Sequence, residues 1–382
     1  MIMATGNIRE KKTKTGVSYQ ITVEGGYDEL TGKRIRTYKN VKGSMREAKT
    51  LMHRMITEME QGMLTQKTNK RVGEWMDEWL DNYLINVEET TRIGYRTKIK
   101  CYIKPAIGDI FLRALRTEHV QRMINDMYNR GLSPKNIRDA FNNVNAAMKK
   151  AVKLHIIPHN PCEAVELPKL KKYHAKVYQT EIMQELLTIV SGTDMFLPVF
   201  LLVMVGLRRG ELLALRWEDI DFDKNILKVR RNMVRGETGF IIKTPKTESG
   251  IRDIHLGNDV MDILREAKAQ YDEYAVDYGP GFQNLDFVIH KKDGSPFMPD
   301  SMTQKWSRFL ATNGLPKIRL HDLRHSNATA LIQAGVNPRV VQQRLGHSDV
   351  NITLNTYTHV LPAMDAEAAE KLDEMLLRRT EG

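Results

Sequence analysis

The chain has 382 residues, 41% of them hydrophobic, and this length indicates two or three globular domains. Its 58 Lys and Arg against 47 Asp and Glu give a formal net charge of +11, which favours nucleic acid as a partner, although a merely soluble basic protein fits as well. Two cysteines exclude a disulfide framework, and neither has zinc-ligand spacing, so we expect reduced thiols. The longest apolar stretch, residues 195–207, is too short for a membrane span, and the N-terminus lacks a secretory signal. We therefore expect a cytoplasmic protein that stays where chromosomal DNA is.

Residues 1–64 are predicted to form a small sheet packed on one helix. Residues 17–24 and 34–41 alternate apolar with polar side chains, which is the pattern of half-buried strands. Ser44 and Glu47 then form a capping box that opens a helix, and Gly62 ends it. This pattern predicts an α+β domain.

The second of these strands is strongly basic. Four cationic side chains cluster around it: Lys33, Arg34, Arg36 and Lys39. A strand with a basic outward face can lie in a groove of duplex DNA. The alternative is an edge strand that its charges protect from pairing. We favour DNA contact.

Residues 67–167 are predicted to be entirely helical. Four helices are expected to begin near Val72, Thr91, Thr117 and Ser133. The second carries a basic stripe with no intervening acid: Arg92, Arg96, Lys98, Lys100 and Lys104. Such a stripe suits contacts to DNA phosphates, which position a protein without reading sequence. A charged face turned to solvent is the alternative.

Residues 168–178 combine proline with lysines and are predicted to be a stiff basic linker. Residues 179–382 then mix helices with short strands and end in a helix at 363–379. The strands are expected at residues 226–231, 239–244 and 251–256. The chain is therefore predicted to be multidomain, with an α+β domain, an all-α domain and a mixed, mainly-α domain containing a small antiparallel sheet.

Four motifs stand out in the last region. In chain order they are Gly206-Leu207-Arg208-Arg209-Gly210-Glu211-Leu212, Thr244-Pro245-Lys246-Thr247, His321-Asp322-Leu323-Arg324-His325 and Leu345-Gly346-His347, with Tyr357 following. Through these motifs the sequence resembles the tyrosine recombinases, the family of phage integrases, Xer recombinases and Cre. The resemblance covers residues 180–360. The helical segment before it is similar to the family's core-site binding domain, and the N-terminal segment to the arm-binding domains of phage and conjugative-transposon integrases.

The resemblance implies a set of side chains that hold the phosphate to be cleaved. Arg208 and Arg324 match the family's two phosphate-binding arginines, and a guanidinium binds phosphate oxygens bidentately with a permanent charge. His321 lies three residues before Arg324, so a helix beginning there puts both on one face. Its neutral imidazole can accept a proton from a tyrosine. By resemblance, His347 donates a hydrogen bond to the phosphate; a histidine that interacts with the helix dipole is the alternative.

The resemblance also implies a general acid and a nucleophile. Lys246, in what is predicted to be the tip of a hairpin between two strands, would protonate the departing 5′ oxygen, with Lys243 as a nearby competitor. Tyr357 would attack the phosphate and form a 3′-phosphotyrosine. This bond keeps the energy needed for rejoining, so we expect neither a metal nor any other cofactor.

Three other functions are alternatives to this one. The acids Glu218, Asp219, Asp221 and Asp223 resemble the carboxylates of a two-metal nuclease, but they follow Trp217 at a helix-to-strand junction, where acids commonly solvate a turn. A type IB topoisomerase shares the tyrosine chemistry but relaxes DNA without site preference. A DNA-binding regulator without catalysis has no need of all six residues.

The sequence thus predicts a site-specific recombinase that integrates, and also excises, a prophage or a conjugative transposon. Residues 1–64 would bind arm sites and residues 67–167 core sites on double-stranded DNA. Further expected partners are three other copies of the chain in a tetramer, an excisionase and a host DNA-bending protein. The C-terminal helix would dock on a neighbouring copy, or else pack on its own domain.

Overall fold

The structure of the chain is a computed structural model. It describes residues 4–13, 16–27, 34–60, 69–170, 176–245, 247–346 and 373. The chain divides into two compact units, Met1–Lys171 and Lys172–Gly382, and the division falls inside the segment predicted to be a linker. Among the described helices, none combines the length and the apolar character that crossing a membrane requires.

The first unit begins with an antiparallel sheet of order β1-β2-β3 that packs on helix α1. Its elements are β1 (Thr5–Thr13), β2 (Gly16–Tyr27), β3 (Arg34–Lys42) and α1 (Met45–Glu60). Ile21 and Val23 of β2 are fully buried with Ala48 and Met55 of α1. The predicted capping box is confirmed, since the Ser44 backbone N–H donates to the Glu47 carboxylate at 2.7 Å.

Strand β1 was not predicted from the sequence. Its register pairs Ile8 with Ile21 of β2, so its one isoleucine faces the same core. The rest of the strand is polar or charged, and an edge strand that buries a single apolar side chain shows no clear alternation of period two.

Helices make up the remainder of the first unit. They are α2 (Val72–Asn82), α3 (Glu89–Lys98), a π-helical turn (Ile99–Ile103), α4 (Lys104–Ile107), α5 (Thr117–Asn129) and α6 (Pro134–Lys153). Trp75 of α2 is fully buried and donates from Nε1 to the Ala147 carbonyl of α6 at 3.0 Å. Ser133 caps α6 as predicted, accepting from the Asn136 N–H at 3.3 Å.

The second unit builds its core around an apolar helix. Its helices are α7 (Thr180–Val190), α8 (Phe196–Val205), α9 (Arg209–Ala214), α10 (Asn258–Tyr278), α11 (Pro299–Thr312), α12 (Leu320–Gln333) and α13 (Pro338–Leu345). Helix α8 is apolar on all sides, with Val199, Leu201 and Leu202 fully buried, as expected of a central helix. It packs against α7 on one side and α12 on another.

The strands of the second unit differ from the prediction. They are β4 (Ile220–Asp221), β5 (Ile226–Val229), β6 (Asn232–Arg235), β7 (Phe240–Lys243) and β8 (Arg252–His255). β8 pairs with β5, whereas β7 pairs with the unpredicted β6, so the predicted hairpin between β7 and β8 is wrong. The single strand predicted at residues 226–231 is wrong, because the chain changes sheet after Val229. Strand β8 alternates buried with exposed side chains, whereas all four residues of β7 are half-buried, and neither pattern identifies the partner strand.

Candidate functional site

Arg208 lies at the N-terminus of α9, directly after the tight turn that ends α8. Gly206 forms that turn with φ +74°, and a Cβ there would lie 2.5 Å from Leu345 and 2.8 Å from Asn327. A glycine is therefore needed both for the left-handed backbone and for the close approach of α12 and α13. The turn aims Arg208 at the C-terminus of α13, where its Nη2 donates to the Gly346 carbonyl at 2.7 Å.

His321 and Arg324 lie in the first turn and a half of α12, as the spacing predicted. Arg324 is only 1% exposed and donates from Nη1 to the Gly206 carbonyl at 2.8 Å, and from Nη2 to the Leu345 carbonyl. The two predicted phosphate-binding arginines thus converge on adjacent carbonyls. Since the side chain of Arg208 is 35% exposed, it offers more of its guanidinium to an incoming phosphate.

Glu211 holds Arg208 in place, and its role was not predicted although it stands in the first motif. Its buried carboxylate accepts from Arg208 Nη1 at 2.6 Å and from the Arg208 backbone N–H at 2.9 Å. Burial raises the pKa of Glu211, but hydrogen bonds and charge from Arg252 and Arg208 outweigh it, and the pKa falls to about 2. Glu211 is therefore ionised at neutral pH. It orients the Arg208 guanidinium, and the positive charges of Arg208 and Arg252 outweigh its negative charge.

Arg252 is the second residue that sequence reasoning missed. It is 7% exposed and forms a two-point contact with Glu211, with Nη1–Oε1 at 3.2 Å and Nη2–Oε2 at 2.9 Å. The signal was present in β8, where Arg252 and Ile254 face inward while Asp253 and His255 face outward. An arginine at an inward position of a strand needs a buried partner, and this requirement points to an acid elsewhere in the site.

His321 is neutral at physiological pH. His321 is exposed at the surface, yet the groups packed around it desolvate its protonated form, and repulsion from a protonated His325 and from the Arg324 and Arg208 guanidinium groups adds to this effect, so that its pKa is lowered to about 4. The His325 ring packs edge-on against it at a centroid distance of 5.0 Å. A neutral imidazole beside two guanidinium groups can accept a proton when a negative phosphate enters the site and offsets their charge.

We expect the imidazole of His321 to titrate well below 6.5 in the DNA-free chain. Because the folded state disfavours the protonated ring, His321 contributes stability above the unfolded pKa, and this contribution is lost as pH falls through the window from 6.5 towards 4. Imidazole NMR signals followed against pH check this, with His321→Gln to assign the resonance. Addition of DNA should raise the pKa; a value of 6.5 or above without DNA would contradict the geometry.

Three predicted catalytic residues, Lys246, His347 and Tyr357, lie outside the described residues, as does the predicted helix at 363–379. The residue before His347 is described: Gly346 follows α13 as a left-handed C-cap with φ +67°. Asn337 caps the start of α13, accepting from the Arg339 N–H at 2.9 Å. Lys243 ends β7, in backbone register with Asn232 of β6.

The basic residues of the first unit carry ion pairs that the sequence did not reveal. On the sheet, Arg34 and Arg36 both contact Glu24 of the neighbouring strand, Lys39 is exposed, and Lys33 lies outside the described residues. Cross-strand pairing brings Glu24 opposite Arg36, a neighbour that linear sequence does not show. These contacts reduce the free charge of the strand without removing it.

The predicted stripe on α3 and the following turns is likewise not a bare row of cations. Arg96 is 3.8 Å from Asp81 and Lys104 is 2.5 Å from Asp77, so acids of α2 pair with it. Arg92 donates to the Leu84 carbonyl, Lys98 to Asn136, and Lys100 is exposed. The pairing acids belong to another helix. The stripe therefore carries less free charge than its own sequence, which contains no acid, indicates.

The acidic cluster has structural contacts of its own. Asp219 accepts from Arg231 Nη1 at 2.9 and 2.8 Å, and Glu218 contacts the other end of the same guanidinium. Asp221 accepts from the Lys224 backbone N–H at 3.1 Å, which is a turn contact. Asp223 is exposed. These contacts join the helix-to-strand junction to the start of β6.

Comparison with known proteins extends over both units. Residues 177–364 match the Phage integrase family, and residues 72–128 match the family of phage integrase N-terminal SAM-like domains. The chain is 28% identical over 372 residues to the ICEBs1 integrase of Bacillus subtilis strain 168. The alignment covers 96% of this chain and 99% of that protein.

Solved structures share the fold. The Tn1549 transposon integrase in complex with a circular intermediate DNA aligns with a TM-score of 0.64 at 22% identity, covering 75% of this chain and 95% of that one. A lambda integrase tetramer bound to a Holliday junction aligns with a TM-score of 0.59 at 18% identity, covering 87% of this chain and 91% of that one. The mostly helical architecture with small antiparallel sheets is thus an integrase-like fold.

Proposed function

Because this chain belongs to the phage integrase family of tyrosine recombinases, we propose that it cuts and rejoins DNA at specific sites to integrate and excise a mobile element. One observation carries the proposal. Two arginines from separate motifs, Arg208 and Arg324, converge on adjacent carbonyls at the end of α13, beside the neutral imidazole of His321. Such a cationic cluster suits a phosphate whose charge must be held during its displacement.

The proposed reaction is one displacement at phosphorus and its reversal. The phenolic oxygen of Tyr357 attacks the phosphorus and its proton passes to His321. The bond from phosphorus to the 5′ oxygen breaks, and that oxygen takes a proton from Lys246 and leaves as a hydroxyl. Attack of a 5′ hydroxyl from another strand on the 3′-phosphotyrosine reverses each step and joins the strands.

Arg208 and Arg324 act in this reaction by electrostatics and orientation. Negative charge develops on the non-bridging oxygens in the transition state, where fixed donors stabilise it more than mobile water does. Glu211 fixes Arg208 and two carbonyls fix Arg324, so neither guanidinium needs to reorganise during the step. His347 follows directly on Gly346, and we assign it a further hydrogen bond to the same phosphate.

We propose a separate function for each segment of the chain. Residues 1–64 bind arm sites through the basic strand β3, residues 67–167 bind one side of the core site, residues 168–178 link them onward, and residues 179–382 catalyse. The two separate hydrophobic clusters of the first unit, one around Ile21 and one around Trp75, support treating it as two binding modules. The SAM-like match at residues 72–128 supports the second module.

The proposed partners follow from the same assignment. Double-stranded DNA is the substrate, and the solved relatives bound to DNA and to a Holliday junction support a homotetramer on synapsed sites. An excisionase and a host DNA-bending protein would set direction and bring arm and core sites together. The proposed setting is the bacterial cytoplasm, with the C-terminal helix docking on a neighbouring copy.

Covalent trapping on DNA tests the proposed function. Duplexes enriched from random sequence for binding to the full chain supply a panel of candidate core sites, each nicked beside the tested phosphate so that cleavage frees a short strand and cannot reverse. We expect a denaturation-resistant protein–DNA adduct at one position of the site. The proposal fails if no duplex yields an adduct; adducts at unrelated sequences, with relaxation of supercoils, would indicate a topoisomerase.

Deletion of residues 1–64 should separate recombination from cleavage. Two linked binding modules can raise avidity by roughly 10²–10⁴, so loss of the arm-binding module should lower recombination about 10²-fold. Cleavage of a nicked core site should remain, because the residues that contact the phosphate lie in the second unit. Recombination between plasmid-borne sites and adduct yield are the two measurements. Unaltered recombination would argue against arm binding.

A further inference from the structure

Three arginines hold the C-terminus of α13: Arg208, Arg324 and Arg252. The last carbonyls of this helix are those of Arg344, Leu345 and Gly346, and each accepts from a different guanidinium. Leu345 accepts from Arg324, Gly346 from Arg208, and Arg344 from Arg252 Nε at 2.7 Å. A helix end leaves such carbonyls without intrahelical partners, and cationic donors are the strongest groups that can satisfy them.

Arg252 contacts two further groups of the site. Its Nη1 donates to the Gly250 carbonyl at 3.1 Å, and both Nη atoms donate to Glu211. A Cβ at Gly346 would lie 3.1 Å from Arg252 and 2.5 Å from the Ser249 carbonyl. The glycine of the Leu345-Gly346-His347 motif therefore also makes room for Arg252 and for the segment that follows Lys246.

The shared carboxylate sets the charge available to a phosphate. Glu211 receives two guanidinium groups, one from Arg208 and one from Arg252, so the three side chains carry a net positive charge. Without Arg252, Arg208 would be the one guanidinium of this trio left to pair with the buried Glu211. A carboxylate that pairs fully with Arg208 draws it away from the phosphate and cancels its charge.

Building on the proposed function, we propose that Arg252 is a positioning residue of the cleavage reaction. Arg252 shares the Glu211 carboxylate with Arg208, and this sharing leaves Arg208 directed towards the phosphate. Arg252 also holds the Arg344 carbonyl at the end of α13, and so fixes Gly346, the residue before His347. Through the Gly250 carbonyl it also anchors the segment that leads away from Lys246. Arg252 thus joins three segments of the catalytic site without touching DNA itself.

The test compares Arg252→Lys with wild type on two forms of the nicked core-site duplex. One carries the natural phosphate at the cleavage position, and the other a methylphosphonate, in which a methyl group replaces a non-bridging oxygen and removes the negative charge. Lysine keeps the positive charge so that the chain folds, but its single ammonium cannot donate to Glu211, Gly250 and Arg344 together. Release of the 5′-hydroxyl strand at saturating protein measures cleavage on both substrates.

Arg231→Lys provides the matched control, since Arg231 also makes a two-point contact with a carboxylate, that of Asp219, away from α13. For Arg252→Lys we expect cleavage of the natural phosphate to slow on the order of 10²-fold, because small displacements of a catalytic group cost about that much. On the methylphosphonate the deficit should shrink to about threefold, since less charge remains for Arg208 to stabilise. Arg231→Lys should match wild type on both duplexes.

The outcomes separate the inference from the proposed function. An Arg252→Lys protein that cleaves as fast as wild type, or with a deficit of equal size on both duplexes, would overturn the positioning role while leaving the recombinase assignment standing. Absence of cleavage by the wild-type chain would instead reject the proposed function, and this inference with it.

Discussion

Tyr357→Phe is expected to abolish the covalent protein–DNA adduct and to leave non-covalent DNA binding nearly unchanged. Phenylalanine lacks the oxygen that forms the bond to phosphorus but keeps the ring, so only the chemical step is removed. The substitution leaves intact the arginines that we propose to contact the phosphate, so binding should persist. Adduct yield on the nicked core-site duplex and binding to the intact duplex are the two measurements.

Tyr278→Phe is a suitable control for this prediction, because Tyr278 is an exposed tyrosine at the end of α10 in the same unit. It should form adducts at the wild-type rate. Mass spectrometry of the digested wild-type adduct should find the nucleotide on the peptide that contains Tyr357. A full adduct yield in Tyr357→Phe, or a nucleotide on another tyrosine, would reject the nucleophile assignment.

Local features of the catalytic unit were predictable from the sequence because local interactions produce them. Glycine commonly ends helices, and Gly206 and Gly346 both adopt the left-handed backbone that ends α8 and α13. Once a helix begins at Leu320, the spacing of three residues places His321 and Arg324 on the same face of that helix. Each of these inferences needs only a few neighbouring residues, so composition and spacing suffice.

Features that depend on distant residues could not be predicted in the same way. The pairing of β8 with β5 rather than with β7 depends on the change of sheet between β5 and β6, and no property of β7 alone encodes it. Glu211 and Arg252 are far apart in the sequence, and each looks like an ordinary surface charge until both are buried. The position of Arg252 on the inward face of β8 was the available signal, and reading it requires a register for the strand.

Arg324→Lys tests whether the buried arginine acts on the phosphate as well as on the fold. The guanidinium of Arg324 donates to the carbonyls of Gly206 and Leu345, and a lysine ammonium cannot reproduce this planar fork. One carbonyl loses its donor, so the free energy of unfolding should fall by about 1–3 kcal/mol. Cleavage should slow on the order of 10²–10³-fold, as when one donor to the transition state is lost.

Asn327→Ala separates these two effects, because Asn327 makes the same kind of contact from the same helix. Its Nδ2 donates to the Val203 carbonyl of α8 at 2.7 Å, and its side chain is buried. Loss of this bond should lower the free energy of unfolding by a comparable amount, yet leave the cleavage rate per folded molecule near that of wild type. Urea unfolding and single-turnover cleavage, both below the unfolding transition, supply the two numbers for each variant. If Asn327→Ala slowed cleavage as much as Arg324→Lys does, the contribution of Arg324 would lie in packing α12 against α8, and a direct role at the phosphate would have to be withdrawn.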